Sequence, residues 1–104
     1  MTKVKFFGDE NRLSGFSVTG HCTVDSRDTE GKLVCAAVSS AVYMAANTLT
    51  EIENAVCDIT ETDGHLSLKV KKETEGTQTV LKGLLLHLQQ LSEQYSNIEL
   101  NLEV

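Results

Sequence analysis

Six side chains could supply thiol or imidazole chemistry: Cys22, Cys35, Cys57, His21, His65 and His87. The cysteines show no CxxC pair and miss the spacings of zinc fingers, so no metal site is expected. An odd number of thiols cannot pair completely. Cys22 and Cys35 could bridge in an oxidising sample, whereas thiols of a cytosolic chain stay reduced. The informative pair is His21, at the end of a predicted strand, and Cys35, expected in the first turn of a predicted helix. A thiol there would feel the free N–H groups and the positive end of the helix dipole, which favour thiolate. A histidine beside it could take its proton or hold it as an ion pair, the arrangement a cysteine nucleophile needs. Gly20 would let backbone approach a substrate closely. Ser39, one turn beyond Cys35, shares its helix face. The residues alone also fit a buried apolar cysteine and a surface histidine. Cys57 reads as strand core, His65 as a solvated turn residue, and His87 as a flank residue on a second helix.

Positioning these groups requires a scaffold, and apolar periodicity supplies one. Val4 to Phe7 reads as a strand ended by a turn-rich cluster, and Leu13 to Thr19 as its hairpin partner. Cys22 to Glu30 is polar, without an apolar anchor, and reads as a loop that is mobile when empty. Lys32 to Thr50 is nearly free of charge, which predicts a helix buried on nearly every side. Asn54 to Thr62 and Leu66 to Lys71 flank Asp63-Gly64, a type I′ hairpin signal. Thr77 to Tyr95 carries leucines at helical spacing, and Ile98 to Val104 alternates as a half-buried strand. The order ββαββαβ predicts a single α+β domain over residues 1–104, with an antiparallel-rich sheet and two helices.

Composition narrows the partners. Nine basic against fifteen acidic side chains leave a formal charge of -6, which offers no basic face to nucleic acid and suits a basic partner. No signal-peptide pattern and no membrane span are read, so a cytoplasmic protein with no membrane partner is expected. The apolar helix predicts surface covered by a second copy, most simply in a homodimer.

Gly20-His21, followed by Val34-Cys35-Ala36-Ala37-Val38-Ser39, resembles the bacterial ribosomal-processing cysteine protease family, Prp, also called YsxB-like. The resemblance spans the whole chain in length and element order. It implies a cysteine endopeptidase with Cys35 as nucleophile and His21 as base, homodimeric and without metal or cofactor. The implied substrate is the twenty-seventh protein of the large ribosomal subunit, which loses a short N-terminal extension after an aromatic pair. Two departures stand out: Lys32 occupies a position that is usually acidic, and the loop between His21 and Cys35 is about two residues longer. An acidic role at that position would pass to Asp28 or Glu30, and Lys32 could instead lower the thiol pKa. Gly20, Asp28, Glu30 and Ser39 are thus candidates to line the site. Other classes remain open: a non-catalytic ribosome-assembly or ribosomal-protein-binding module, and a redox sensor using Cys22 and Cys35.

Overall fold

Alternating side chains produce a sheet with one apolar face. In the computed structural model, which describes residues 1–9, 11–20 and 29–103, the strands are β1 (Thr2–Gly8), β2 (Leu13–Thr19), β3 (Val56–Thr62), β4 (His65–Lys72) and β5 (Ile98–Glu103). The helices are α1 (Thr29–Asn47), between β2 and β3, and α2 (Thr77–Gln94), between β4 and β5. Strand order across the sheet is β3-β4-β2-β1-β5. Every pairing is antiparallel except that of β1 with β5. The α+β class, the element order and the antiparallel-rich sheet are as the sequence predicts.

Val4, Phe6, Phe16, Leu66, Leu68 and Ile98 form the sheet side of the core. Val34, Val38, Val42 and Ala45 of α1 join Leu81, Leu84 and Leu88 of α2 on its helix side. Phe6 and Phe16 are cross-strand partners, their ring centroids 5.9 Å apart, within the range of favourable aromatic pairs. The alternate residues Lys3, Lys5, Glu99 and Asn101 lie on the open face of the sheet.

Three expectations are corrected. α1 buries one face only: Val34, Cys35, Val38, Val42, Ala45 and Ala46 are buried, but Leu33 and Met44 are 66% and 69% exposed. A single sheet offers a helix one face to cover. The helix also begins at Thr29 rather than Lys32, taking in Thr29 and Glu30, which read as loop, and Gly31. Only Gly64 of the Asp63-Gly64 turn has positive φ, at 82°, so this is not a type I′ turn, which needs both central residues there.

The segment from Thr29 to Ile52 has the length and apolarity of a membrane span, with a window of mean hydropathy 1.4, yet its buried side packs in the core. After Asn47 the helix widens into a π turn, Thr48–Ile52. Thr48 and Thr50 donate there to the carbonyls of Met44 and Ala46, at 2.7 and 3.0 Å. Glu53 then caps α2 from outside the helix. Its Oε1 accepts from Thr74 Oγ1 at 2.7 Å and from the Gly76 amide at 2.9 Å. These bonds, Thr74 first, hold the Glu53 carboxyl below its ordinary pKa. Gln78 ties α2 to β2, receiving the Leu13 amide and donating to its carbonyl, both at 2.8 Å.

Candidate active site

Cys35, Ser39, Val42 and Tyr43 follow one another at i, i+4, i+7 and i+8 along α1, so they share a face. That face looks onto the start of β1, the end of β2 and the β3–β4 turn. Between them lies a cavity of about 240 Å³, lined by all four residues together with Val18, Gly20, Glu61 and Leu66 among others. The sheet order creates it. Because β4 pairs antiparallel with β2, the start of β4 lies beside the end of β2, with Thr19 opposite His65. The Gly20 amide then donates to the Gly64 carbonyl at 3.0 Å.

Gly20 is there for a steric reason. Its φ is +86°, and a Cβ would stand 2.5 Å from the Met1 carbonyl oxygen. The two neighbours clamp the residue immediately before His21. His21 itself, Cys22 and Asp28 lie outside the described residues, as do residues 22–28 of the segment expected to be a mobile loop.

Cys35 is buried, at 7% exposure, in the second turn of α1 rather than the first. It therefore lies beyond the four N–H groups that a helix leaves free, and its own amide is no helix-terminal oxyanion donor. Cys35 is disulfide-bonded in the structure, contrary to the expectation of reduced thiols. The Cys22 half of the bridge considered from the sequence lies outside the described residues. Any nucleophilic role of Cys35 belongs to the reduced protein.

The other candidates separate clearly. Ser39 is half-buried and lines the cavity with Cys35. Glu30 is exposed in the first turn of α1 and does not border the cavity, so the structure does not bring it to Cys35. Lys32 is also exposed. His65 is half-buried rather than solvated, and its Nδ1 lies 2.8 Å from Thr19 Oγ1. Strand parity places that pair with Ser17 and Ser67 on the open face, away from the helix-side residues Val18 and Leu66. His65 thus borders the cavity while its imidazole Nδ1 pairs with Thr19 on the open face. His87 is exposed on α2 beside a separate groove of about 710 Å³ between the helices, lined mainly by small and apolar residues. Cys57 is a free, half-buried thiol in β3, and burial pushes its pKa up, opposite to the direction a nucleophile needs.

Sequence reasoning missed Tyr43 and Glu61. The phenol of Tyr43 donates to Glu61 Oε1, joining α1 to β3 at the cavity they both line. That bond, with lesser contributions from desolvation and the carboxylate charge, raises the Tyr43 pKa. Tyr43 was accessible from its spacing, eight residues after Cys35. Glu61 carried no such signal, because its place depends on strand order.

Comparisons with known proteins agree with this architecture. A Staphylococcus aureus structure, described as an essential ribosomal processing protease Prp with a covalently linked product peptide, superposes with a TM-score of 0.84 at 24% identity. The match covers 99% of this chain and 100% of that one. The same protease with a substrate peptide gives 0.85 at 23% identity over the same shares. A Streptococcus mutans protein gives 0.84 at 20% identity, covering 99% of this chain and 97% of its own. No curated protein matches. The family description "Cysteine protease Prp" matches residues 1–98, nearly the whole chain and every element around the Cys35 cavity. This chain belongs to the Prp family of cysteine proteases.

Proposed function

We propose that this cysteine protease removes a short N-terminal extension from a basic large-subunit ribosomal protein, the twenty-seventh, cutting after aromatic residues. The observation that carries the reading is the cavity in which Cys35 and Ser39 face Gly20, the residue that leads directly into His21. The S. aureus relative, whose description names ribosomal processing and a covalently linked product peptide, supports the same assignment.

In the reduced enzyme, Sγ of Cys35 attacks the scissile carbonyl carbon, forming a C–S bond and a tetrahedral oxyanion. Collapse breaks the C–N bond, and His21, as imidazolium, gives its proton to the leaving amine. Water then loses a proton to His21 and attacks the thioester. The peptide acid departs and the thiolate returns. No step calls on a metal or cofactor. Val18, Val42, Leu66 and the Tyr43 ring give the cavity apolar walls, which suit the side chain preceding the cut.

A formal charge of -6 complements a basic ribosomal protein and opposes nucleic-acid binding. Asp28, and Glu30 in the first turn of α1, are assigned to meeting that substrate, in place of an acidic residue at Lys32. The exposed apolar side chains Leu33, Met44 and Leu86 favour a homodimer, and the setting we assign is cytoplasmic, with no membrane partner.

The decisive test is cleavage of an extension peptide containing a Phe-Phe pair under reducing conditions. Cys35→Ala is expected to abolish turnover, and His21→Ala to cost about 10²–10⁴-fold. Cys22→Ala and Cys57→Ala should retain most of it. Equal loss from Cys22→Ala would move the nucleophile, and loss of turnover from His87→Ala or His65→Ala instead of His21→Ala would move the base.

A further inference from the structure

The cavity beside Cys35 is apolar along Val18, Val42 and Leu66, yet two acidic residues border it, Asp63 in the exposed β3–β4 turn and Glu61 on the strand itself. An unpartnered carboxylate there would favour a cationic substrate side chain and disfavour an apolar one, since an apolar group would strip its water. The structure resolves this conflict. Glu61 lies opposite Leu66 in the β3–β4 ladder, so its side chain is on the helix side of the sheet. There its Oε1 accepts the hydroxyl proton of Tyr43. The phenol occupies the carboxylate, and the ring, 45% exposed and two turns along α1 from Cys35, becomes part of the cavity wall.

The geometry points to the Tyr43–Glu61 hydrogen bond as a specificity determinant of the subsite beside Cys35: by occupying the Glu61 carboxylate, it favours an apolar side chain over a cationic one. The inference rests on Cys35 being the nucleophile and concerns a different property, the choice of side chain before the cut. Tyr43 and Glu61 are substrate-selecting residues and take no part in proton transfer.

The test uses the reduced full-length chain and two quenched-fluorescent peptides that differ only in Phe or Lys immediately before the scissile bond. Tyr43→Phe keeps the ring, removes the hydroxyl and leaves the Glu61 carboxylate facing the pocket. The Phe-to-Lys ratio of kcat/KM should fall about tenfold or more, because the Glu61 carboxylate, relieved of its donor, can turn its charge to the lysine ammonium. The double variant Tyr43→Phe/Glu61→Gln removes that charge and should restore most of the ratio. A merely structural role of Tyr43 would lower both peptides together and would not be rescued. An unchanged ratio in Tyr43→Phe, or no recovery in the double variant, overturns the inference. Cys35→Ala, run alongside, separates the two claims. If it retains cleavage the nucleophile assignment fails, and if it is inactive while the ratio stays fixed only the subsite inference fails.

Discussion

Gly20→Ala probes the link between backbone geometry and turnover. With φ at +86°, an L side chain at this position costs about 1–2 kcal/mol of backbone strain. The new Cβ would stand 2.5 Å from the Met1 carbonyl oxygen, about 0.9 Å short of the 3.4 Å at which ordinary contact begins. The obstacle is backbone, so the end of β2 must move by close to that amount, and the next residue is His21. A displacement of about 1 Å in a catalytic group can cost about 10²-fold in rate. Thermal melting should therefore drop by several degrees, as about 1 kcal/mol moves a domain of this size by about 4–8 °C. On a cleavable peptide, kcat should fall by about 10²-fold. Gly8→Ala is the control. It has φ +107° and a Cβ 2.4 Å from the Arg12 carbonyl oxygen, but it sits at the far end of the β1–β2 hairpin. It should lose comparable stability and keep kcat within about twofold under conditions where it is folded, since no catalytic group adjoins it. Wild-type kcat in Gly20→Ala, or an equal loss in Gly8→Ala, would refute the reasoning.

Redox state should gate activity, because Cys35 is disulfide-bonded in the structure: the oxidised protein should be inert toward peptide, and a dithiol should restore turnover, read as initial rates before and after reduction. Glu53 should contribute pH-dependent stability. Its folded-state pKa lies below the ordinary value of 4.5, so its contribution is full above about pH 4.5 and fades as pH falls through the folded value. The melting-temperature gap between wild type and Glu53→Gln should accordingly narrow on acidification, and a gap that widens would contradict the capping role. Leu88→Ala removes a fully buried side chain between α2 and the sheet and should cost about 2–5 kcal/mol in denaturant unfolding.

Much of the scaffold was legible because local periodicity and packing agree. Leu66, Leu68 and Val70 alternate as their strand requires, and Leu81, Leu84, Leu88 and Leu91 keep a helical stripe, so both elements could be read without tertiary information. The start of α1 could not. Thr29, Glu30 and Gly31 have turn-like composition, and their helical state is decided by the packing of the residues that follow. That three-residue difference moved Cys35 from the first turn to the second and removed the helix-terminal argument for its activation. An alanine-rich, uncharged helix gives no sign of how many layers will cover it, so the composition of α1 overstates its burial.

The site was legible in part, for a similar reason. Cys35 and Ser39 are local neighbours on one helix, and their spacing is enough to pair them. Their meeting with Gly20 depends on β2 lying beside β4, and the arrival of Glu61 depends on β3 lying outside β4. Such long-range pairings leave no mark in a single sequence. The same topology decided the place of His65, since pairing with Thr19 turns its imidazole to the open face of the sheet.

The most direct test of the central claim is covalent capture of the nucleophile. The reduced protein would be incubated with a peptidyl chloromethyl ketone ending in phenylalanine, then digested and mapped by mass spectrometry. The account predicts one adduct, on Sγ of Cys35, that excess cleavable peptide suppresses and His21→Ala slows. An adduct on Cys57 or Cys22 in its place, or labelling of all three thiols at one rate unaffected by peptide, would contradict it.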